Sequence, residues 1–162
     1  MQALADAGVD VVGENRAQDL EAKHARYGEA FRWHFIGHLQ SRKARTVSAI
    51  CELCHSLDSD SAARKLTIPA LIEVNLSGEA SKSGVEPDEL PAMLELYPAA
   101  RGLMTMPPAT EDPEGSRPYF RRLRELADGH GLHELSMGTS QDYRVAAEEG
   151  ATYVRLGSVL WG

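Results

Sequence analysis

The chain has 162 residues, of which 43% are hydrophobic and 25% charged, as in an ordinary soluble globular domain. Its net charge of -7 and pI near 5.3 argue against a surface for nucleic acid or anionic membranes, because both require a concentrated positive field. The first residues, MQALADAG, lack the basic n-region of a signal peptide, and no apolar run reaches the roughly 18–20 residues of a membrane-spanning helix. We therefore expect a cytoplasmic protein that binds neither nucleic acid nor membrane.

Short apolar segments alternate with amphipathic segments along the chain. The apolar segments are rich in Val, Ile and Leu and are bounded by Gly, Pro, Asn and Ser, which is typical of strands. We predict strands over Val9–Gly13, Trp33–Ile36, Ile50–Ser56, Ala70–Asn75, Arg101–Met106, Glu134–Met137 and Thr152–Leu156. We predict helices over Arg16–Tyr27, Ser41–Ala49, Ser59–Leu66, Pro87–Leu96, Pro113–Ala127 and Gln141–Glu149. This alternation predicts βαβ crossovers and a parallel sheet.

Polar or glycine residues follow nearly every predicted strand, which bears on the choice between two parallel architectures. In a closed barrel the carboxyl ends of all strands meet at one rim, whereas an open doubly wound sheet uses only the ends near its switch point. We therefore favour an α/β fold of the (β/α)8 TIM-barrel type. Seven predicted strands are one fewer than this barrel needs, and MQALADAG resembles the end of a helix. We expect residues 1–162 to form a single barrel domain that is N-terminally incomplete, with the first strand missing.

The two cysteines, Cys51 and Cys54, form a CxxC pattern that can indicate a redox or zinc site. In a strand, residues three apart point to opposite faces, and only His55 lies near as a further ligand. We therefore expect two ordinary reduced cysteines and predict no metal site.

Two clusters of glycine and hydroxyl residues follow the last two predicted strands, SMGTS (Ser136–Ser140) and RLGS (Arg155–Ser158). Glycine lets the backbone approach a ligand, and hydroxyls beside free N–H groups form a cradle for an anion. We expect Ser140 to be the N-cap of a helix that begins at Gln141. Barrels often bind phosphate between the loops after their last two strands. We therefore favour a phosphate site over the alternative, which is two glycine turns with routine caps.

Arg155 lies within an apolar strand, where an unpaired guanidinium is rare because its charge cannot be neutralised. Two interpretations are open for this residue. Arg155 pairs with a carboxylate such as Glu14 or Glu73, or it contacts the ring nitrogen of a ligand, as in some pyridoxal phosphate sites. Asn15 likewise either caps the helix that follows it or faces the rim.

Seven motifs follow one another in the order found in one protein family. They are VGEN (Val12–Asn15), WHFIGHLQSRK (Trp33–Lys43), HSLDS (His55–Ser59), VNLSGEASKSG (Val74–Gly84), RGLMTMPP (Arg101–Pro108), LSMGTSQDY (Leu135–Tyr143) and VRLGSVLWG (Val154–Gly162). On these motifs the whole chain resembles the pyridoxal phosphate homeostasis protein family, of the bacterial YggS and eukaryotic PROSC type. The resemblance implies the barrel of the alanine racemase N-terminal domain and the cofactor pyridoxal 5'-phosphate (PLP).

The resemblance also implies a function, that of a carrier or buffer of PLP without established catalysis. We expect PLP-dependent apoenzymes as partners and a monomer or weak homodimer. The alternative is a PLP-dependent or phosphate-ligand-dependent barrel enzyme of the racemase type. Such an enzyme needs a second catalytic group opposite the cofactor, and no tyrosine or lysine of the sequence is clearly placed for that role.

Carried over to this chain, the resemblance implies cofactor-binding residues and no catalytic residue. The implied cofactor-binding residues are Asn15, Ser136, Met137, Gly138, Ser140, Arg155, Gly157 and Ser158. Arg155 is expected near the pyridine nitrogen, Asn15 near the ring, and the serines and glycines around the phosphate. The Schiff-base lysine of the family lies on a strand upstream of ALADAG. The lysines of this chain do not match its motif, and they are Lys23, Lys43, Lys65 and Lys82. We therefore expect this chain to bind PLP noncovalently.

Overall fold

A computed structural model of the chain describes residues 1–79 and 82–160. Ala80, Ser81, Trp161 and Gly162, which belong to two of the motifs quoted above, lie outside the described residues. The strands are β1 (Val11–Glu14), β2 (Arg32–Phe35), β3 (Leu53–Leu57), β4 (Ala70–Glu73), β5 (Ala100–Met104), β6 (Glu134–Thr139) and β7 (Tyr153–Arg155). The α-helices are α1 (Gln2–Asp6), α2 (Ala17–Tyr27), α3 (Ala44–Ile50), α4 (Asp60–Ala63), α5 (Leu90–Leu96), α6 (Arg117–Gly129) and α7 (Tyr143–Glu148). None of these helices is long and apolar enough to cross a membrane.

The strands form one parallel sheet in which each strand pairs only with its neighbours in sequence, in the order β1-β2-β3-β4-β5-β6-β7. The sheet curls into a nearly closed barrel with β1 and β7 at its two edges. The predicted TIM-type barrel is therefore confirmed, with seven strands in the described residues. We call the open side between β1 and β7 the seam. Val11 of β1 and Val154 of β7 lie at the seam, and these residues are 37% and 38% exposed.

Apolar side chains pack on both sides of the curled sheet. Successive residues of a strand point to opposite faces, so one face meets the helices and the other meets the barrel interior. Trp33 of β2 and Phe120 of α6 belong to the large buried cluster between sheet and helices. Leu71 and Met104 belong to a smaller buried cluster, against which Tyr153 packs. Every residue of β3 and of β4 is consequently buried, as expected for parallel strands covered on both faces.

The prediction of a strand over Ile50–Ser56 is wrong at its beginning. Ile50 ends helix α3, and Cys51 follows with its N–H bonded to the carbonyl oxygen of Val47 at 2.8 Å. Strand β3 begins at Leu53, so of the two cysteines only Cys54 lies on a strand. A short apolar run does not distinguish the end of a buried helix from the start of a buried strand.

Both cysteines are free and buried. Burial raises the pKa of the Cys51 thiol to about 12 and that of the Cys54 thiol to about 11. Neither thiol therefore ionises near neutral pH, which makes both poor nucleophiles. Within residues 1–79 and 82–160, no group of three His, Cys, Asp or Glu side chains is placed to hold a metal ion.

The prediction that Ser140 is the N-cap of the last helix is also wrong. Helix α7 begins at Tyr143, and Asp142 occupies its N-cap position. The Asp142 carboxylate instead accepts the N–H of Thr139 at 2.7 Å, which closes a turn directly after β6. Asn and Asp side chains favour such local turns because they accept bonds from nearby backbone N–H groups. The Ser140 hydroxyl instead accepts backbone N–H groups of Gly157 and Val159.

Candidate cofactor site

A cavity of about 770 Å³ opens at the carboxyl ends of the strands, within the size range of sites for small ligands. All seven strands contribute to its walls. The contributing residues include Gly13, His34, His55, Glu73, Met104, Thr139 and Arg155. One side of the cavity extends along the seam, where Met1 and Leu4 of the first helical segment also line it. The site thus lies where the active sites of barrel proteins lie.

The turns after β6 and β7 meet beside this cavity. The Ser140 hydroxyl oxygen accepts the N–H of Gly157 at 3.0 Å and that of Val159 at 3.4 Å. Gly138, with φ of 88°, brings the backbone close to α7, because a Cβ there would lie 2.4 Å from the Cβ of Ala146. No atom would lie within 4 Å of a Cβ on Gly157. The first turn is therefore packed against a helix, whereas the second is open to a ligand.

Three of the predicted site residues, Asn15, Arg155 and Gly157, line the cavity. Asn15 is exposed at the rim, and Arg16 rather than Asn15 occupies the N-cap position of α2. Ser158 is exposed and begins a short 3-10 turn that follows Gly157. The structure thus brings these residues to the same end of the barrel as the Ser140 turn.

Ser136 and Met137 differ from the other predicted residues, because neither has accessible surface. Met137 belongs to the buried cluster between sheet and helices. The Ser136 hydroxyl lies on the other face of β6, where it contacts Arg155 and His55. Ser136 therefore lies beneath the cavity and touches a residue that lines it.

Arg155 is the cation of the site. Its Nη1 donates to the Ser136 hydroxyl oxygen at 2.6 Å and its Nη2 donates to the Thr105 carbonyl oxygen at 3.0 Å, and Nη2 also contacts the sulfur of Met106. Burial lowers the pKa of Arg155 to about 10, partly opposed by the charges of Glu73 and Asp142. The guanidinium therefore stays charged at neutral pH although it lies inside the barrel.

Neither carboxylate considered as a partner of Arg155 forms an ion pair with it. Glu14 instead pairs with Lys23, with 2.5 Å between Oε2 and Nζ. Glu73 accepts a hydrogen bond from the Ser83 hydroxyl at 2.9 Å, and burial raises the pKa of its carboxyl. No other carboxylate in the described part of the chain pairs with Arg155. In the described residues Arg155 therefore has only uncharged partners, which are Ser136, Thr105 and Met106.

Two buried histidines extend from Ser136 across the floor of the cavity. The Nδ1 of His55 lies 2.8 Å from the Ser136 hydroxyl, and the Nε2 of His55 lies 3.0 Å from the Nδ1 of His34. Both rings pack edge-on against Tyr153, with ring centres 5.0 Å and 5.7 Å away. These histidines are not among the site residues predicted from the sequence. Their signal in the sequence is a histidine between apolar or small residues in two successive strands, WHF and CHS.

Burial also holds both histidines in the neutral form. Desolvation lowers the pKa of His34 to about 4, and the charge of Arg32 acts in the same direction. Desolvation lowers the pKa of His55 to about 3, with His34 and Arg155 as further causes. Both imidazoles are therefore uncharged at neutral pH.

None of the four lysines lines the cavity within the described residues. Lys23 pairs with Glu14, as described above. Lys82 lies next to Ser83 of the cavity wall, and its Nζ lies 3.4 Å from Oε1 of Glu79. The site as described contains a cation, two turns with backbone donors and two neutral imidazoles, but no amine.

The alanine racemase N-terminal domain family matches residues 1–162, which defines the class of barrel. The chain is 43% identical over 178 residues to the pyridoxal phosphate homeostasis protein of Aquifex aeolicus, covering 97% of this chain and 78% of that protein. It is 40% identical to the protein of the same name from Pseudomonas aeruginosa, covering 96% of this chain and 75% of that one. The chain therefore belongs to the pyridoxal phosphate homeostasis protein family.

Solved structures agree with this assignment. PipY of Synechococcus elongatus, whose structure has PLP bound, is 32% identical with a TM-score of 0.84, covering 99% of this chain and 85% of that chain. An alanine racemase of Clostridium difficile has a TM-score of 0.77 at 14% identity, covering 99% of this chain and 47% of that one. The second likeness concerns the fold alone. The names of the homeostasis relatives do not describe a catalysed reaction.

Proposed function

We propose that this chain binds PLP at the carboxyl ends of its strands and acts in PLP homeostasis as a carrier or buffer rather than as an enzyme. The names of its relatives and the PLP bound to PipY support this proposal. The observation that carries it is Arg155, a partly buried cation that lines the cavity and forms no ion pair among the described residues. A ligand with an acceptor atom at this position supplies the missing partner.

The donors around the cavity fit the two ends of PLP. Arg155 is suited to the pyridine nitrogen, which accepts a hydrogen bond from a guanidinium. The turns at Gly138–Ser140 and Gly157–Ser158 carry the Ser140 and Ser158 hydroxyls, and hydroxyls are usual donors for a phosphate. The N–H groups of Thr139 and Gly157 in these turns are bonded to Asp142 and Ser140. Asn15, which also lines the cavity, is suited to the ring substituents.

The nature of Arg155 favours binding over catalysis. Bound PLP supplies a reactive aldehyde and an electron-withdrawing ring, whose withdrawing power is greatest when the ring nitrogen is protonated. A guanidinium donates a hydrogen bond but does not transfer its proton at neutral pH, so Arg155 does not favour the protonated ring. No lysine of residues 1–79 and 82–160 lines the cavity, and we propose that this chain holds PLP through noncovalent contacts.

The domain organisation is a further part of the proposal. We propose that residues 1–162 form one barrel domain and that the seam accepts an eighth parallel strand. The unpaired backbone edges of β1 and β7 and the exposed Val11 and Val154 beside them support this proposal. An eighth strand would pair both edges and cover these side chains.

We also propose a cytoplasmic protein, a monomer or weak homodimer, whose partners are PLP-dependent apoenzymes. The two buried, unpaired cysteines support the location, because free thiols persist in a reducing compartment. The proposed carrier role implies PLP-dependent apoenzymes as partners, because a carrier has to release its cofactor to proteins that use it.

Titration with PLP tests the proposed function. We expect PLP to bind more tightly than pyridoxal or inorganic phosphate, because only PLP uses both ends of the site. The double substitution Ser140→Ala with Ser158→Ala should weaken PLP binding by about 1–3 kcal/mol, the range for lost bonds to a charged group, and leave pyridoxal binding unchanged. Ser61→Ala, at an exposed position of α4, is the control.

Two results would contradict this proposal. Equal affinities for inorganic phosphate and PLP would indicate a phosphate site without recognition of the ring. A gain in protein mass after borohydride treatment of the PLP complex would show covalent attachment to one of the four lysines. The first result contradicts the cofactor assignment, and the second contradicts only its noncovalent character.

A further inference from the structure

A row of four hydrogen-bonded polar side chains, three of them buried, runs from the cavity wall across the barrel. It consists of Arg155 on β7, Ser136 on β6, His55 on β3 and His34 on β2, and we call it the relay. Successive members are 2.6, 2.8 and 3.0 Å apart. The relay joins strands far apart in sequence, since 81 residues separate His55 from Ser136.

The direction of each bond in the relay follows from the donors and acceptors available. Arginine has five N–H donors and no acceptor, so Ser136 accepts from Arg155. The single hydroxyl proton of Ser136 then needs an acceptor, and the Nδ1 of His55 is the only further partner within the described residues. The opposite direction, with His55 donating to Ser136, would leave a buried hydroxyl proton without an acceptor, which is costly.

The remaining bonds follow in turn. Because the Nδ1 of His55 accepts, the proton of this neutral imidazole is on Nε2. That Nε2–H donates to the Nδ1 of His34, so His34 also carries its proton on Nε2. The low pKa values of both histidines agree with this neutral state. One order of protons therefore satisfies every bond between the four side chains.

We propose that His55 and His34 are positioning residues for Arg155, which fix the orientation of the Ser136 hydroxyl and thereby aim the guanidinium at the ring nitrogen of the cofactor. Three N–H groups of Arg155 are directed to Ser136, Thr105 and Met106 in the described chain. Two of the five N–H groups are thus left for a ligand. This inference rests on the proposed function, because it concerns the same site.

A measurement without cofactor tests the order of protons. In the nitrogen NMR spectrum of histidine-labelled protein at neutral pH, we expect two imidazoles that are neutral and protonated on Nε2. In Ser136→Ala the Nδ1 signal of His55 should shift, because it loses its hydrogen-bond donor. A charged His55, or a proton on its Nδ1, would overturn the relay.

A binding measurement tests the positioning role. His55→Phe keeps a ring but removes the acceptor, whereas His55→Asn retains an acceptor near the position of Nδ1. We expect His55→Phe to weaken PLP binding about tenfold, as for one lost bond to a charged group, and His55→Asn to retain most of the affinity. Binding of a PLP analogue with CH in place of the ring nitrogen should be the same in all three proteins. His130→Phe, at an exposed position, is the control.

The outcomes separate the relay from the proposed function. If PLP binds wild type and His55→Phe equally, the positioning role is wrong while the proposed function stands. If His55→Phe weakens PLP and the CH analogue equally, its effect is general and the positioning role is again wrong. If wild type does not bind PLP, the proposed function fails and the positioning role fails with it. The NMR spectrum, which needs no cofactor and no substitution, then still decides on the order of protons in the relay.

Discussion

The hydroxyl oxygen of Ser140 accepts the backbone N–H of Gly157 at 3.0 Å, which joins the turn after β6 to the turn after β7. The two proposed halves of a phosphate site are thus linked before any ligand arrives. The same oxygen also accepts a hydrogen bond from the N–H of Val159 at 3.4 Å. Ser140 therefore orders the second turn, which none of the predicted roles for this residue included.

Removing this oxygen should loosen the second turn. In Ser140→Ala we expect faster hydrogen exchange at the amides of Gly157 and Val159, because both lose their acceptor. The amide of Leu135, which donates to the Thr152 hydroxyl at 2.8 Å in the same unit, should exchange as in wild type. Ser158→Ala is the matched control, since it changes a neighbouring hydroxyl. Equal exchange in Ser140→Ala and wild type would mean that the turn is held by other contacts.

Gly138 should not tolerate a side chain. Its φ of 88° disfavours residues other than glycine, and a Cβ would lie 2.4 Å from the Cβ of Ala146. We expect Gly138→Ala to lower the free energy of unfolding by roughly 1–3 kcal/mol, in the range for combined backbone strain and overpacking. Gly129→Ala, where nothing lies within 4 Å and φ is not positive, should be neutral or stabilising. Urea unfolding of both variants measures the difference.

The buried histidines should make the protein less stable in mild acid. In the unfolded chain an imidazole binds a proton below pH about 6.5, whereas in the folded chain the pKa of His34 is about 4 and that of His55 about 3. Above about pH 6.5 the imidazoles are neutral in both the folded and the unfolded chain and do not lower the free energy of unfolding. The free energy of unfolding falls as the pH drops from about 6.5 toward the pKa values of the folded chain. Each imidazole contributes a slope of about 1.4 kcal/mol per pH unit within this window.

Urea unfolding between pH 7 and pH 4 measures that slope. Carboxylates also titrate in this range, so the informative quantity is the difference between variants. The slope should be smaller in His55→Asn than in wild type, whereas His130→Gln, which changes an exposed histidine, should leave it unaltered. Identical slopes in His55→Asn and wild type would show that His55 is not held neutral.

Glu149 should contribute more to stability than its neighbour Glu148. The Glu149 carboxylate is 6% exposed and accepts bonds from Arg117, Arg121 and Arg124 of α6 at 3.0, 3.2 and 2.8 Å. These ion pairs hold the C-terminal end of α7 against α6. Its substitution by alanine should cost about 1–3 kcal/mol, because three guanidinium groups lose a buried acceptor.

The adjacent position supplies the control for Glu149. Glu148 is 64% exposed and pairs with Arg117 alone, so Glu148→Ala should change stability by less than about 0.5–1 kcal/mol. Thermal unfolding of the two variants under the same conditions compares them. Equal losses would show that the arginines of α6 find other partners.

The seam should promote weak association between copies of the chain. Parallel edges with exposed valines are open to pairing with another strand, and a charge on the edge opposes such pairing. Val154→Lys should therefore reduce self-association in sedimentation experiments at high protein concentration. Ala22→Lys, on an exposed position of α2, adds the same charge far from the seam and should have no such effect. A monomer at every concentration would mean that the edges are not available for pairing.

The periodic parts of the fold could be predicted from the sequence, because alternating apolar and amphipathic segments depend on local composition. Arg155 was found for the same reason, as a charge within an apolar strand. The end of α3 at Ile50 was missed because buried helix and buried strand share the same apolar residues. The pairing of Ser136 with His55 could not be predicted, because it depends on the curvature that brings β6 opposite β3. The cap at Asp142 was missed because serine and aspartate are equally good caps.

The sequential order of the strands also concerns how the chain folds. Since every strand pairs with its neighbours in sequence, the sheet can grow one βα unit at a time, and no pairing of the first with the last strand has to be formed. The terminal units then have one neighbour instead of two and should open first, while the middle of the sheet opens last. The bond between His55 and Ser136 connects the unit of β3, which is early in the chain, to the unit of β6, which is late in the chain. Its loss should increase the difference in local stability between the centre of the barrel and its ends.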